Sequence, residues 1–273
     1  MRGRLLAAVV AAALVSAVWL PASGAARREI STNWSGYDVS GATFTAISGN
    51  WVQPAATCPV GGSTVEARSS FWIGLGGKGL QRDTKIEQIG AESDCDGEGH
   101  TFYFAWYELW PAGNHPLETF PVRPGDRMTA RIAVSGGSVS FVLQDVTSGG
   151  LFRKTIAMRM PDVSSAEWIA EAPARVTGGS HQIFPLADFG SVHFTGASAT
   201  AGARIGAIAD SHWHHQAIDF MSAEGYDPVS SFLESSSAAH GFPSALSRHG
   251  SSFWITWKQG DAPRKKKASP GAI

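Results

Sequence analysis

The side chains that could do chemistry are an amide and two carboxylates: Gln88, Glu108 and Glu171. Residues 71–111 read as three consecutive strands, the first centred on Trp72, the second carrying Gln88, the third running from Phe102 to Trp110. Alternation along the third strand puts Phe102, Phe104, Trp106, Glu108 and Trp110 on one face. A carboxylate in an aromatic stripe is costly unless it has a partner or a task. Two tasks fit these residue types. Glu108 and Glu171 could act as the acid and base of a glycosidase. Alternatively, one carboxylate and one carboxamide could hydrolyse a peptide. The carboxylate activates water, and the amide is a permanent donor to the developing oxyanion that does not titrate. The segment VSSAEWIAEA (163–172) puts Glu167 and Glu171 on one face as either strand or helix. Its propensity, with Ser164 and Glu167 spaced as a capping box, favours helix.

Other chemistries lack their signatures. There is no G-x-S-x-G elbow, no S-x-x-K with its companions, no HExxH and no paired C-x-x-C. The glycines from Gly74 to Gly79 do not open a helix, so they do not make a phosphate loop. Asp210, His212 and His214 could share a strand face, and Asp94 to Glu98 alternates oxygen ligands. The first reads better as an exposed edge and the second as a tight turn. No metal and no cofactor is expected. Ten tryptophans keep a lectin-like sugar-binding sandwich open as an alternative.

These residues need a scaffold. Arg2 and Arg4, an apolar run from Leu5 to Leu20 and small residues to Ala26 have the form of a secretory signal peptide, expected over 1–26. Its removal takes the formal charge from −1 to −3 by loss of the two arginines. Four of the remaining cations sit together in Arg264 to Lys267. No basic surface results, so no nucleic-acid partner is expected, nor stable membrane association once the signal is gone. A secreted monomer is the expectation. Cys58 and Cys95 both lie in turn-like surroundings and, in an exported chain, form a candidate disulfide.

Downstream of the signal, residues 27–32 read as a flexible, pro-like lead. Strands follow at 43–52, at the three positions above, at 127–134, 138–144 and 151–158, and then at 191–195, 204–209, 215–221 and 253–257. A Ser-rich loop is expected over 222–250 and a disordered tail over 259–273. Many short strands at close spacing argue for a sandwich or barrel, with one domain over 27–258.

Several stretches together resemble the glutamic peptidases, or eqolisins. They are Asn33-Trp34-Ser35-Gly36, Trp72 to Gly77, Ile86 to Gly90, Ala105 to Pro111, Ala166 to Glu171 and Ala187 to Phe194. The resemblance implies an all-β fold of two curved antiparallel sheets packed as a lectin-like sandwich, with a site on the concave face. It implies that 166–171 is a strand, against local propensity. It places the catalytic pair on Gln88 and Glu171, with Trp72, Trp106, Glu108 and Trp110 around them, and it implies acid cleavage of polypeptides without a covalent intermediate. The chain departs from the family pattern at Gly76, where an Asp is common, and at Ala172-Pro173, where an acidic-aromatic pair is common. Trp110 stands where a Tyr is usual.

Overall fold

The structure, a computed structural model, describes residues 27–58, 66–78, 85–177, 180–221 and 239–260. The expected signal peptide, the Ser-rich segment 222–238 and residues 261–273 of the expected tail lie outside the described residues.

Every regular element among the described residues is a strand. The front sheet is built from β2 (Trp34–Ser40), β4 (Ser70–Gly76), β5 (Ile86–Cys95), β6 (Thr101–Trp110), β7 (Asn114–Pro116), β11 (Ser165–Glu171), β16 (His214–Met221), β17 (Ala239–Pro243) and β18 (Phe253–Gln259). The back sheet holds β3 (Phe44–Val52), β8 (Arg127–Ser135), β9 (Ser138–Asp145), β10 (Leu151–Ala157) and β15 (Arg204–Ala207). One long strand, β14 (Ser191–Ala201), belongs to both: its first half pairs with β18 and its second with β3. The register slips between Thr195 and Ser198, where Gly196 takes φ 59°, a conformation that favours glycine. The strand order is β10-β9-β8-β3-β14-β18-β17-β16-β2-β11-β4-β5-β6-β7. A separate hairpin joins β12 (Ala174–Thr177) to β13 (Ser180–Ile183).

Alternation fills the space between the sheets. Phe71, Ile73 and Leu75 of β4, Ile89 and Ala91 of β5, and Ala166, Trp168 and Ala170 of β11 face one core. Met128, Ala130 and Ile132 of β8 and Val139, Phe141 and Leu143 of β9 belong to the same core. The Trp168 indole crosses the gap and donates to the Ser48 carbonyl of β3 at 2.9 Å. The opposite face of the front sheet carries a second, smaller cluster of Trp72, Trp106, Ile169 and Ile218, flanked by Trp34 and Phe104.

Three local expectations are corrected. The helical propensity of 163–172 loses to pairing: β11 lies between β2 and β4 with a ladder on each edge, and Ser165 to Ala170 are all buried. The lead is not loose, because β1 (Arg27–Ser31) runs parallel to β16 in a five-residue ladder. Residues 239–243, placed in the long loop, form β17 between β16 and β18.

Candidate active site

Because directly paired residues share a face, the register of the front sheet lays out the site as three rows. The first runs Asp38, Glu167, Gly74, Gln88, Glu108, Asn114 across β2, β11, β4, β5, β6 and β7. The second, across the same strands, is Gly36, Ile169, Trp72, Gly90, Trp106, Pro116. The third is Trp34, Glu171, Ser70, Glu92, Phe104. Two polar rows thus flank an apolar and glycine row. Gln88 stands on one side of it and Glu171 on the other, four positions apart along the strands, about 13 Å, and two strands apart across the sheet.

Trp72 connects the two. Its Nε1 donates to Glu171 Oε2 at 2.8 Å. The far edge of its ring lies over Gly74, where an added Cβ would come within 2.7 Å of Cζ3. Gly74 is the residue paired with Gln88. The absence of a side chain there lets the indole lie flat across the row. Trp34 meets Trp72 edge-on, with ring centroids 5.1 Å apart.

Gln88 is buried, at 6% exposure, and its Nε2 donates to Glu108 Oε2 at 2.6 Å. An ionised carboxylate only accepts, so Glu108 fixes which edge of the amide faces it. That leaves the Gln88 Oε1, which has no partner, and the second Nε2 hydrogen. Burial raises the Glu108 carboxyl above the ordinary range, and the bond from Gln88 opposes the rise.

Glu171 ends β11. Asn33 Nδ2 donates to its Oε1 at 2.8 Å, so each carboxylate oxygen has one fixed donor. Burial pushes Glu171 up to about 7; the indole of Trp72 and the amide of Asn33, which donate to it, pull it down, and the charge of Glu108 adds to the rise. Glu92 stands in the row of Glu171, and Asp94 follows it on the same face of β5. Burial raises both, Glu92 well above the ordinary range and Asp94 to about 6, and the charge of Asp94 adds to the rise of Glu92.

The other sequence candidates fall into place around this pair. Trp72 and Trp106 are 0% and 3% exposed, so they do not offer open faces for a sugar. Trp110 ends β6 opposite Ile86, one row beyond Glu108, and precedes the cis Trp110-Pro111 bond. Cys58 and Cys95 are joined by a disulfide, which ties the end of β5 to the loop after β3. Asp210 is held by Arg204 and His212 at the surface. Asp94 points inward while Asp96 closes a turn by accepting the backbone N–H of Glu98 and His100. Glu167 shares the face of Glu171, is buried opposite Gly74, and its carboxyl is raised by burial.

The sequence reading named Asn33 only as part of a motif and did not see Asn33, Ser70, Glu92 or Asp94 as neighbours of Glu171. Strand phase puts Glu92 on the face of Gln88, so that signal was present. Nothing local to Asn33 announces a contact 138 residues away.

A family model described as the peptidase A4 family matches residues 32–237. Aspergillopepsin-2 of Aspergillus niger is 28% identical over 202 residues, which are 67% of this chain and 69% of that protein. Scytalido-glutamic peptidase, solved with a transition state analog inhibitor, superposes with a TM-score of 0.64 at 23% identity, covering 83% of this chain and 98% of that one. Aspergilloglutamic peptidase from Aspergillus niger gives 0.52 at 26% identity, covering 70% and 99%.

Proposed function

The chain belongs to the peptidase A4 family and is a glutamic peptidase, a peptide-bond hydrolase; from that premise we propose that Gln88 and Glu171 hydrolyse the bond together, through one water and with no covalent intermediate. The observation that supports this reading is that Trp72, which donates to Glu171, also lies over Gly74, the residue paired with Gln88, on the sheet face that carries both groups. Gln88 is anchored at one amide hydrogen and open at its remaining polar positions. Glu171 is held by one donor on each oxygen.

In the proposed step the scissile bond of an extended polypeptide is presented to Gln88 and Glu171. Glu171 as carboxylate takes a proton from the water, whose oxygen bonds to the scissile carbonyl carbon. The free Nε2 hydrogen of Gln88 donates to the resulting oxyanion. Glu171 then passes its proton to the leaving nitrogen as the C–N bond breaks, leaving a carboxylic acid and an amine. Each group thus ends the cycle in its starting state. Glu108 and Trp72 hold the two partners, and Trp106 lines the row.

A raised Glu171 makes a stronger base that is less often ionised in acid. The acid limb of kcat/KM is therefore expected above the ordinary carboxylate range, which moves the working range from strong to weak acid. Secretion is part of the same proposal: residues 1–26 act as a removable leader and the exported protein works as a monomer.

The test is hydrolysis of a denatured protein by the purified chain. Gln88→Ala is expected to lower kcat by about 10²–10³, as for loss of an oxyanion donor. Glu171→Gln is expected to lower it by about 10⁴ or more, with an unchanged melting curve. Wild-type turnover in Glu171→Gln would sink the dyad.

A further inference from the structure

We propose that Asn33 is the positioning residue for Glu171, and that β1 is the strap that keeps Asn33 in place. This rests on Glu171 acting as the base. Glu171 is the last residue of its strand, paired with Trp34 and Ser70, and the chain leaves the ladders directly after it. Its carboxylate is oriented by two donors, one per oxygen. The first, Trp72, is locked by burial inside the sheet. The second, Asn33, sits between β1 and β2, outside any ladder.

Asn33 is nevertheless held from both ends. Its carbonyl accepts the N–H of Ala172, the residue after Glu171, at 2.9 Å. On the other side Ser31 Oγ accepts the backbone N–H of Asn33 at 3.3 Å and of Trp34 at 3.0 Å, a turn typical of a serine hydroxyl. Ser31 is the last residue of β1 and pairs with Phe220. Arg28 fastens the strap through Asp219, with Nε 2.8 Å from Oδ2, and Gln216 fastens it through Glu29.

The strap contributes little to the core. Ile30 is 69% exposed and, among the described residues, β1 pairs with β16 alone. Its consequence lies downstream, in where it leaves Asn33. A donor to a carboxylate favours the ionised form. Removing it both frees the side chain and makes Glu171 harder to ionise. The charged groups that face Glu171 from the neighbouring strands are Glu108 of β6 and Glu92 of β5, the latter with Asp94 and Arg68 behind it. None of these is altered by a change at Asn33.

The experiment measures kcat and KM from pH 3 to 8 for full-length Asn33→Ala, Asn33→Asp, Ser31→Ala and Arg28→Ala, with melting curves. Asn33→Ala is expected to lower kcat about tenfold with KM little changed, and to move the acid limb up by about one pH unit. Asn33→Asp, nearly isosteric but able to place a second carboxylate against Glu171, is expected to move it further. Ser31→Ala and Arg28→Ala are expected to shift it the same way by less. An acid limb that stays in place in Asn33→Ala, or Ala and Asp variants that differ from wild type only in melting, overturns the role of Asn33. Should Asn33→Ala fail to fold, folded Ser31→Ala and Arg28→Ala proteins with an unmoved limb overturn the proposal equally. Loss of activity in Glu171→Gln together with an unmoved limb at Asn33 separates failure of this inference from failure of the dyad.

Discussion

Gln88 and Glu108 are linked at 2.6 Å between amide and carboxylate. Glu108 therefore acts on both members of the dyad. It fixes the amide of Gln88 by contact, and its charge raises Glu171 from a distance. Replacing Glu108 by Gln keeps the shape and removes the charge. Two consequences have opposite signs. The amide of Gln88 loses a charge-assisted partner and is held less firmly, so kcat is expected to fall about tenfold. Glu171 loses a repulsive neighbour and ionises more readily, so the acid limb is expected to move to lower pH. A limb that moves upward, or a kcat equal to wild type, would show that Glu108 does neither. The sign distinguishes this residue from Asn33, whose loss drives the limb the other way. At this scale the sequence was readable where strand phase fixes a face, as for Gln88, Glu108 and the aromatic stripe. It was silent on Asn33, because a hydrogen bond between residues 33 and 171 is a product of tertiary pairing.

The strands that position the site were legible in proportion to their alternation. Met128, Ala130 and Ile132 alternate with polar neighbours and form β8 as expected. Strand β11 is different: a segment with a helical preference becomes a strand because two neighbours offer it complete ladders and buried surfaces on both faces. Only the resemblance to glutamic peptidases gave the correct state there. Strand β1 is short and polar and β17 is short and holds Gly241 and Pro243, residues that disfavour strands, with pairing partners about 190 and 15 residues away, so local propensity does not mark them. Packing between elements has one tight point worth testing. The Trp72 ring occupies the space above Gly74, and Trp72 carries the bond to Glu171. An aromatic ring locked in a buried sheet cannot bend away from a new methyl. Gly74→Ala is expected to destabilise by about 1–3 kcal/mol, as overpacking does. It is also expected to cut kcat by displacing the indole from Glu171. Thermal melting and turnover on one peptide check both, and a fully active, fully stable variant would mean that the ring is free to move.

Across the whole molecule, buried carboxyls set the response to pH. Burial raises Asp38, Glu87, Glu92, Asp94, Glu108, Glu167 and Glu171; Glu87 reaches about 8, Glu171 about 7 and Asp94 about 6. For Glu87, the cause is its place on the core face of β5, where only the N–H of Asp162 meets it. An acid raised in the folded state binds more protons folded than unfolded. Stability then falls with rising pH, starting near the unfolded value of about 4 and continuing through the folded value. Asp210 runs the other way: Arg204 lowers it to about 2, so its contribution is lost only in stronger acid. The folded protein should therefore be most stable near pH 4 and weaken up to about pH 8. Each unit of upward displacement corresponds to about 1.4 kcal/mol. Glu87 alone is enough to lower the melting temperature on the order of 10 °C for a domain of this size, and the other groups add to it. Calorimetry from pH 3 to 8 tests this, and a flat melting temperature between pH 4 and 8 would contradict it. The same charges bound activity from both sides. Ionisation of Glu171 sets the acid limb, while ionisation of the other buried carboxyls loosens the fold at higher pH. The window left between them is weakly acidic. Glu87→Gln, which removes one destabilising ionisation on the core face of β5, opposite the face that carries Gln88, should extend stability toward neutral pH without moving the acid limb.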